Sequence, residues 1–343
     1  MGRPTIRDLA DAAGVSVSTV NRVIGGRDTV REATVRRVLD AAEAIGFYGA
    51  GAIRHRVDAH RARYDLRVLL LQRGRDFYRA LADALERAAA EVEEAEVALT
   101  VAFADDLSPD KVAARMRSLG AGADALAVVS AEHPRVSEAL AALGAEGVAV
   151  FSLISPLSAG GDIGHVGLDH WKVGRTAAWA FERMCRSPGK IGILIGSHRY
   201  RNQETNESGF RSYFREHGAG GFELLEPLPT FESAAIAQEM TERLLGEHPD
   251  LAGLFVTGGG ITGALAALRD ADRAGTLVSV GYELMDATRT ALLDGTLTLV
   301  IAHPLERLAR ETIAAMIGAK SEGGSGAGRT VTLPFEIYTP ENL

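Results

Sequence analysis

Thr5-Ile6-Arg7-Asp8-Leu9-Ala10-Asp11-Ala12-Ala13-Gly14-Val15-Ser16-Val17-Ser18-Thr19-Val20-Asn21-Arg22-Val23-Ile24 is the stretch from which the organisation of the chain follows. Ile6, Leu9, Ala10 and Ala13 recur on one helical face, Gly14-Val15-Ser16 interrupts it, and Val17 to Ile24 makes a second short helix. Gly14 can take the positive φ that stops the first helix, and Ser16 can accept from the open amides that start the second. Val20, Val23 and Ile24 then point inward, leaving Val17, Ser18, Asn21 and Arg22 outward. Such a helix-turn-helix presents side chains to the major groove, where the Arg22 fork fits guanine O6 and N7. Double-stranded DNA is therefore the expected partner, with Thr5, Ser16, Val17, Ser18, Thr19, Asn21 and Arg22 as contacts.

Outward from this stretch, Glu32 to Ile45 is expected to form a third helix, with Val35, Val38, Leu39, Ala42 and Ile45 at core spacing. Thr29-x-x-Glu32 offers a capping box at its start, and Gly46 ends it. Up to Arg63 there are eleven Arg, no Lys and seven Asp or Glu, a net +4, and the remainder of the chain carries −12 of the total −8. A basic head suits phosphates, whereas the acidic body should stay off nucleic acid. No apolar run approaches membrane-spanning length, and no hydrophobic leader precedes the first helix, so a cytoplasmic location is expected. The lone Cys185 offers neither disulfide nor metal cluster and is expected to be a core thiol. No cofactor is expected.

Beyond Asp65 the pattern alternates between strand and helix. Leu66 to Leu71, Val97 to Phe103, Ala125 to Val129 and Val148 to Leu153 are short apolar runs separated by helical stretches such as Tyr78 to Glu94 and Lys111 to Leu119. A second series after Asp169 places strands at Ile191 to Ile195, Phe222 to Leu225, Leu254 to Thr257 and Leu277 to Val280. Its helices lie near Trp171 to Met184, Gly209 to His217, Ala234 to Leu245 and Thr262 to Ala271. Two doubly wound α/β lobes follow. Leu297 to Ala302 and the helix from Pro304 to Ile317 read as a return to the first lobe, with Thr330 to Tyr338 as a last crossing strand and 321–328 as a surface loop. The domains are thus an all-α head over residues 1–48, a linker over 49–64, and an α/β core over 65–343.

Thr5 to Ala10 and Ala13 to Val23 resemble the DNA-binding headpiece of the LacI/GalR bacterial transcription regulators. Val166-Gly167-Leu168-Asp169 with Gly174 and Ala177, Gly209-Phe210, Gly281-Tyr282-Glu283 and Ile301-Ala302-His303-Pro304 resemble the two-lobed core that these regulators share with periplasmic sugar-binding proteins. The resemblance implies a homodimer on a near-palindromic operator, most simply a repressor, and a small effector held between lobes of the periplasmic-binding-protein type. A sugar-binding protein with no transcriptional role is the alternative, against which the head argues.

At the strand ends stand Phe77, Tyr78, Ser130, Arg201, Glu204, Asn206, Glu283 and His303. Aromatic faces beside polar groups that both donate and accept suit a sugar or polyol. Structural explanations compete: Phe77 and Tyr78 as core residues opening a helix, Glu283 as a solvated loop carboxylate, and the nearby Asp169 as an N-cap rather than a ligand contact. Where many sugar-binding relatives have an arginine three residues before Gly-Phe, this chain has Asn206, and where they have Asn-Asp it has Thr257-Gly258. A phosphorylated sugar or a sugar acid is then equally allowed.

Catalysis finds no foothold. Gly258-Gly259-Gly260 lacks the Lys-Ser/Thr of a phosphate loop and reads as a close-approach turn. His165, Asp169 and His170 make a weak metal set, and no Ser-His-Asp or paired-carboxylate arrangement can be placed. In the linker, the resemblance implies a hinge helix that wedges a leucine into the minor groove, but Arg56 stands at that position and Gly49 and Gly51 disfavour a helix. Arg54 and Arg56 are expected to hold the operator electrostatically, with Ile53 as the remaining wedge. A disordered basic tether is the alternative.

Overall fold

The computed structural model describes residues 3–25, 30–59, 61–160, 162–218, 220–321 and 329–343. It divides into two compact units: Met1–Arg63 with Val92–Glu96, and Tyr64–Glu91 with Val97–Leu343.

The first unit holds α1 (Ile6–Ala13), α2 (Val17–Gly25), α3 (Glu32–Ala44) and α4 (Ala50–Ala59). Thr5 caps α1 through a reciprocal box with Asp8: the Asp8 amide donates to Thr5 Oγ1, and the Thr5 amide donates to Asp8 Oδ2 at 2.7 Å. Those hydrogen bonds from Thr5 hold the Asp8 carboxyl below the usual carboxylate range. Gly14 ends α1 in the left-handed region at φ +61°. The Thr29 box expected for α3 lies outside the described residues; the N-cap of α3 is Arg31, which makes no side-chain cap. Leu9, Ala10, Ala13, Val20, Val23 and Val38 close the core.

The linker corrects an expectation. Despite Gly49 and Gly51, Ala50–Ala59 is helical, because Ile53 packs into the head's core with 1 % of its surface exposed. Tertiary burial of one face outweighs weak propensity.

In the second unit the first sheet orders its strands β12-β5-β4-β3-β1-β2: β1 (Ala62–Leu71), β2 (Ala95–Ala104), β3 (Ala125–Val128), β4 (Ala149–Leu153), β5 (Gly164–Leu168) and β12 (Thr330–Leu333). Its helices are α5 (Asp76–Ala90), α6 (Pro109–Gly120), α7 (Pro134–Ala145) and α13 (Leu305–Ser321), the last packing along β3 to β5 and beside α5. The second sheet runs β13-β11-β10-β9-β6-β7, with β6 (Lys190–Ile195), β7 (Glu223–Leu224), β9 (Leu251–Val256), β10 (Val278–Tyr282), β11 (Leu299–Ala302) and β13 (Glu336–Tyr338); β8 (Leu228–Pro229) also pairs β6. Around it lie α8 (His170–Met184), α9 (Arg201–His217), α10 (Ala234–Glu247), α11 (Ile261–Asp270) and α12 (Asp286–Leu293). Pairing is parallel through both sheets wherever a register is defined, except for antiparallel β13 on β11.

Two expectations about the tail change. β11 stays in the second sheet, in register with β10 at Val280 and Leu299, so of β11 and α13 only the helix returns to the first lobe. Thr330 to Tyr338 is two strands, β12 beside β5 and β13 beside β11, broken at Pro334-Phe335. The chain therefore passes between lobes at Asp169, after Ala302 and after Leu333. Cys185 is half-buried rather than core, and burial pushes its thiol up to about 11.

Candidate functional site

In the head, the outward face of α2 presents Val17, Ser18, Asn21 and Arg22, all exposed, with 42 % of the Val17 surface open. Ser16 is occupied by local structure: its Oγ accepts from the Thr19 amide at 3.2 Å and bonds the Ser18 and Thr19 hydroxyls at 2.8 and 2.9 Å. Arg22 lies back along the helix, its Nε donating to the Ser18 carbonyl at 3.4 Å, which leaves its exposed guanidinium easily redirected. Thr5 is held in the α1 cap and Thr19 is half-buried.

The linker residues separate. Ile53, expected as a wedge, is buried in the head and cannot reach a base step in this arrangement. Arg54 donates from Nε and Nη2 to Glu43 Oε1 at 3.0 and 2.6 Å, an exposed pair worth little in water. The Arg56 side chain lies outside the described residues.

In the second unit a cavity of about 310 Å³ opens at the carboxyl ends of the parallel strands. Gly74 to Tyr78 follow β1, Ile154 follows β4, Thr257 to Gly260 follow β9, Glu283 follows β10 and His303 follows β11, so strands of both lobes deliver their ends to one crevice. Four expected residues meet there: Phe77, Tyr78, Glu283 and His303. Phe77 stands 5.9 Å from the His303 ring and 5.2 Å, edge-on, from Tyr78. Glu283, at φ +64°, takes the His303 amide on Oε2 at 3.0 Å and shares a 2.6 Å hydrogen bond between Oε1 and Nδ1. The other imidazole nitrogen of His303, the Tyr282 hydroxyl and Asn202 Oδ1 are buried without partners among the described residues. Burial drives the Tyr78 and Tyr282 phenols well above their usual range, so both stay protonated donors.

Ser130, Arg201, Glu204 and Asn206 do not line the cavity. Ser130 Oγ donates to the Ala131 carbonyl. Helix α9 begins at Arg201, eight residues earlier than the sequence suggests, and its winding fixes which side chains face inward. Arg201 and Glu204 turn out, to Ser158 at 2.7 Å and to His198, while Asn202 and Gln203 turn into the cavity. Asn206 is fully buried behind them.

Besides Asn202, two charged cavity residues escaped the sequence. Arg75 and Glu232 join across the lobes, Nη1 to Oε2 at 2.5 Å, with 26 % and 9 % of their side chains exposed. Arg75 stands two residues before Phe77 and could have been found by extending the strand-end list upstream. Glu232 follows the two-residue β8 and had no periodic signal.

The histidines have structural roles. Asp169 caps α8 by accepting the Lys172 amide at 3.1 Å, His170 meets the Ile154 carbonyl at 2.7 Å, and His165 bonds Ser152. Among the described residues no three His, Cys, Asp or Glu converge as a metal site, and no helix is long and apolar enough to cross a membrane.

Comparison with known proteins accords with this geometry. Residues 67–323 match the family model described as periplasmic binding protein domain, and residues 5–49 match that of the bacterial regulatory proteins of the lacI family. The chain belongs to the LacI/GalR class of regulators, a helix-turn-helix head joined to a two-lobed periplasmic-binding-protein core. Similar solved structures include GanP, a glucose-galactose binding protein from Geobacillus stearothermophilus, at TM-score 0.73 and 15 % identity over 82 % of this chain and 99 % of that one. A periplasmic solute binding protein from Actinobacillus succinogenes with bound D-allose aligns at TM-score 0.73 and 17 % identity, over 81 % of this chain and 98 % of its own. An ABC transporter solute binding protein from Agrobacterium vitis bound with α-D-tagatopyranose gives 0.73 and 17 %, over 82 % of this chain and 95 % of that one. At these identities the likeness establishes the fold. A search of curated proteins returned no significant match.

Proposed function

We propose that this chain is a sequence-specific transcriptional repressor that binds a near-palindromic DNA operator as a homodimer, and that a sugar or polyol-like effector in the cleft controls its affinity. One observation supports this above the others: a single chain joins an exposed α2 face of Val17, Ser18, Asn21 and Arg22 to a cavity with buried, unpartnered hydrogen-bonding groups at its wall. The +4 head favours phosphate approach, and Arg22, Asn21 and Ser18 are groups that read base edges. Thr5, Ser16 and Thr19 would act through the phosphates or by holding α2, and Arg54 and Arg56 through the backbone beside the head. In the cleft, Phe77 and Tyr78 would stack on carbon–hydrogen faces while Glu283 and His303 take hydroxyls. The glucose-galactose, D-allose and α-D-tagatopyranose ligands of structurally similar proteins agree with this class of ligand. Cytoplasmic placement belongs to the same proposal.

The effector acts only if it binds the DNA-bound and DNA-free states unequally. The test is selection of the full chain's sites from random duplex DNA, followed by titration of the selected site with and without a sugar panel. Inverted repeats with a sugar-dependent affinity are expected; no enrichment over random sequence would reject DNA recognition. A ligand at 100 times its Kd should also stabilise the core by about 2.7 kcal/mol.

A further inference from the structure

Glu232 is held in an uncommon way. Phe231 and Glu232 both adopt left-handed backbone, φ +48° and +63°, at a two-residue turn, a conformation that side-chain-bearing residues seldom take and that clusters at functional sites. The turn sends the carboxylate into the cleft, where it accepts Arg75 Nη1 at 2.5 Å, Gln203 Nε2 at 2.9 Å and the Gly259 amide at 3.3 Å. Arg75 Nη2 donates to the Glu232 carbonyl as well. Gln203 is set for this role: its Oε1 accepts the Gly196 and Ser197 amides at 2.7 and 3.2 Å, which points Nε2 at the carboxylate.

The glycines around it are there for space. A Cβ on Gly196 would lie 1.7 Å from Glu232 Oε1, and one on Gly259 2.1 Å from Oε2 and 2.4 Å from Arg75 Nη2. In Gly258-Gly259-Gly260, which no phosphate-loop pattern explained, Gly259 is therefore one wall of a seat for a carboxylate, and Gly258 leaves room for the Gln203 amide that serves it. The occupant is planar and presents two oxygens to N–H donors, with a guanidinium among them, the arrangement that matches a carboxylate. The same cavity offers Tyr282 and His303 polar atoms with no partner.

We propose that Glu232 is a built-in stand-in for the carboxylate of the effector, and that the effector is a sugar acid, an aldonate or uronate. Its carboxylate displaces Glu232 from Arg75, Gln203 and the Gly259 amide, while its hydroxyls meet His303, Tyr282 and Glu283. Because Arg75 comes from the first lobe and the other donors from the second, exchange of one carboxylate for another keeps the lobes bridged and moves only the turn at Phe231-Glu232. This rests on the cleft being the effector site.

The experiment is calorimetric titration of the full chain with D-galacturonate, D-glucuronate and D-gluconate. D-galactose and D-glucose serve as neutral parents, and D-glucose 6-phosphate as the phosphate control. At least one acid should bind at least tenfold tighter than its parent. E232A, which empties the seat, should tighten that acid at least tenfold further, E232Q should fall between, and R75M should reduce the acid to the level of its parent. Should R75M fail to fold by circular dichroism, Q203E, which sets a negative charge against the seat, should abolish acid binding. Neutral parents that bind as tightly as the acids, with E232A changing neither, would overturn the proposal and leave the sugar cleft standing. Binding of the phosphate alone would overturn it too, and no binding by any panel member to wild type or E232A would reject the sugar reading with it.

Discussion

Gly174→Ala should be one of the most damaging small substitutions in the core. Gly174 lies in α8 where α9 crosses it, and a Cβ there would stand 1.9 Å from the Asn206 carbonyl oxygen and 2.9 Å from the Phe210 amide nitrogen. Both are backbone atoms, so no rotamer change relieves the overlap, and the helices must part by more than about 1 Å to restore contact distance. Forced overpacking of this kind costs about 1–3 kcal/mol, at the upper end when backbone is the obstacle. Alanine recovers roughly 1 kcal/mol of helix propensity, which leaves about 2 kcal/mol of net destabilisation. For a core of this size that lowers Tm by on the order of 4–8 °C. The displaced helix carries Asn202 and Gln203 into the cleft, so effector affinity should fall as well. Gly144→Ala is the control: α7 has nothing within 4 Å of a Cβ at that exposed position, and the same chemical change should raise stability by up to about 1 kcal/mol. Both are measured by thermal and urea unfolding of the full chain. If Gly174→Ala proved as stable as Gly144→Ala, the close approach of α8 and α9 would be wrong.

Arg22→Ala should cost about 1–3 kcal/mol at one base pair per half-site and much less on random DNA, read by competition binding against single-base operator variants. An unchanged preference at every position would remove α2 from the groove. Ile53→Ala should destabilise the head by about 2–5 kcal/mol, since it empties a fully buried site, and this appears as an earlier first transition on unfolding. A normal head with a loss confined to operator bending would restore Ile53 as a wedge. Acid should weaken the core through His165 and His170, which burial lowers to about 4 and about 3. Both are neutral when folded and take a proton near 6.5 when unfolded, so the stability present above pH 6.5 is lost as pH falls through 4 and then 3. Each contributes up to about 1.4 kcal/mol per pH unit. Urea midpoints measured from pH 7 to pH 4 should flatten in His170→Gln, and an identical slope would show that His170 is not the titrating group.

The sequence carries the head almost whole, because Gly14, Ser16 and the Val20/Val23 spacing each have one local meaning that the structure repeats. The alternation in the core is legible for the same reason: buried parallel strands need unbroken apolar runs. What was not legible depends on tertiary partners. α4 forms against its glycines because Ile53 finds a core, and β11 stays in the second sheet because β10 and β13 flank it. In the site, Phe77, Tyr78, Glu283 and His303 sit where strand-end logic puts them. Arg201 and Glu204 went astray because an eight-residue error in the start of α9 turns a loop, in which any side chain can point inward, into a helix that chooses for them. Glu232 was invisible, since a two-residue turn has no period and its importance comes from Arg75, 157 positions away.

The first lobe is not contiguous in the chain: β1 to β5 come from residues 62–168, whereas α13 and β12, which complete that lobe, come from 305–333. The four helices of the head and its hydrophobic core, by contrast, all lie before residue 60. At ~5–20 residues per second of synthesis, roughly 15–55 s separate the emergence of the head from that of β12. Throughout that interval a nascent chain carries a foldable helix-turn-helix with no complete cleft behind it, so the effector has nothing to act on. For as long as translation lasts, any regulation by ligand waits on α13 and β12.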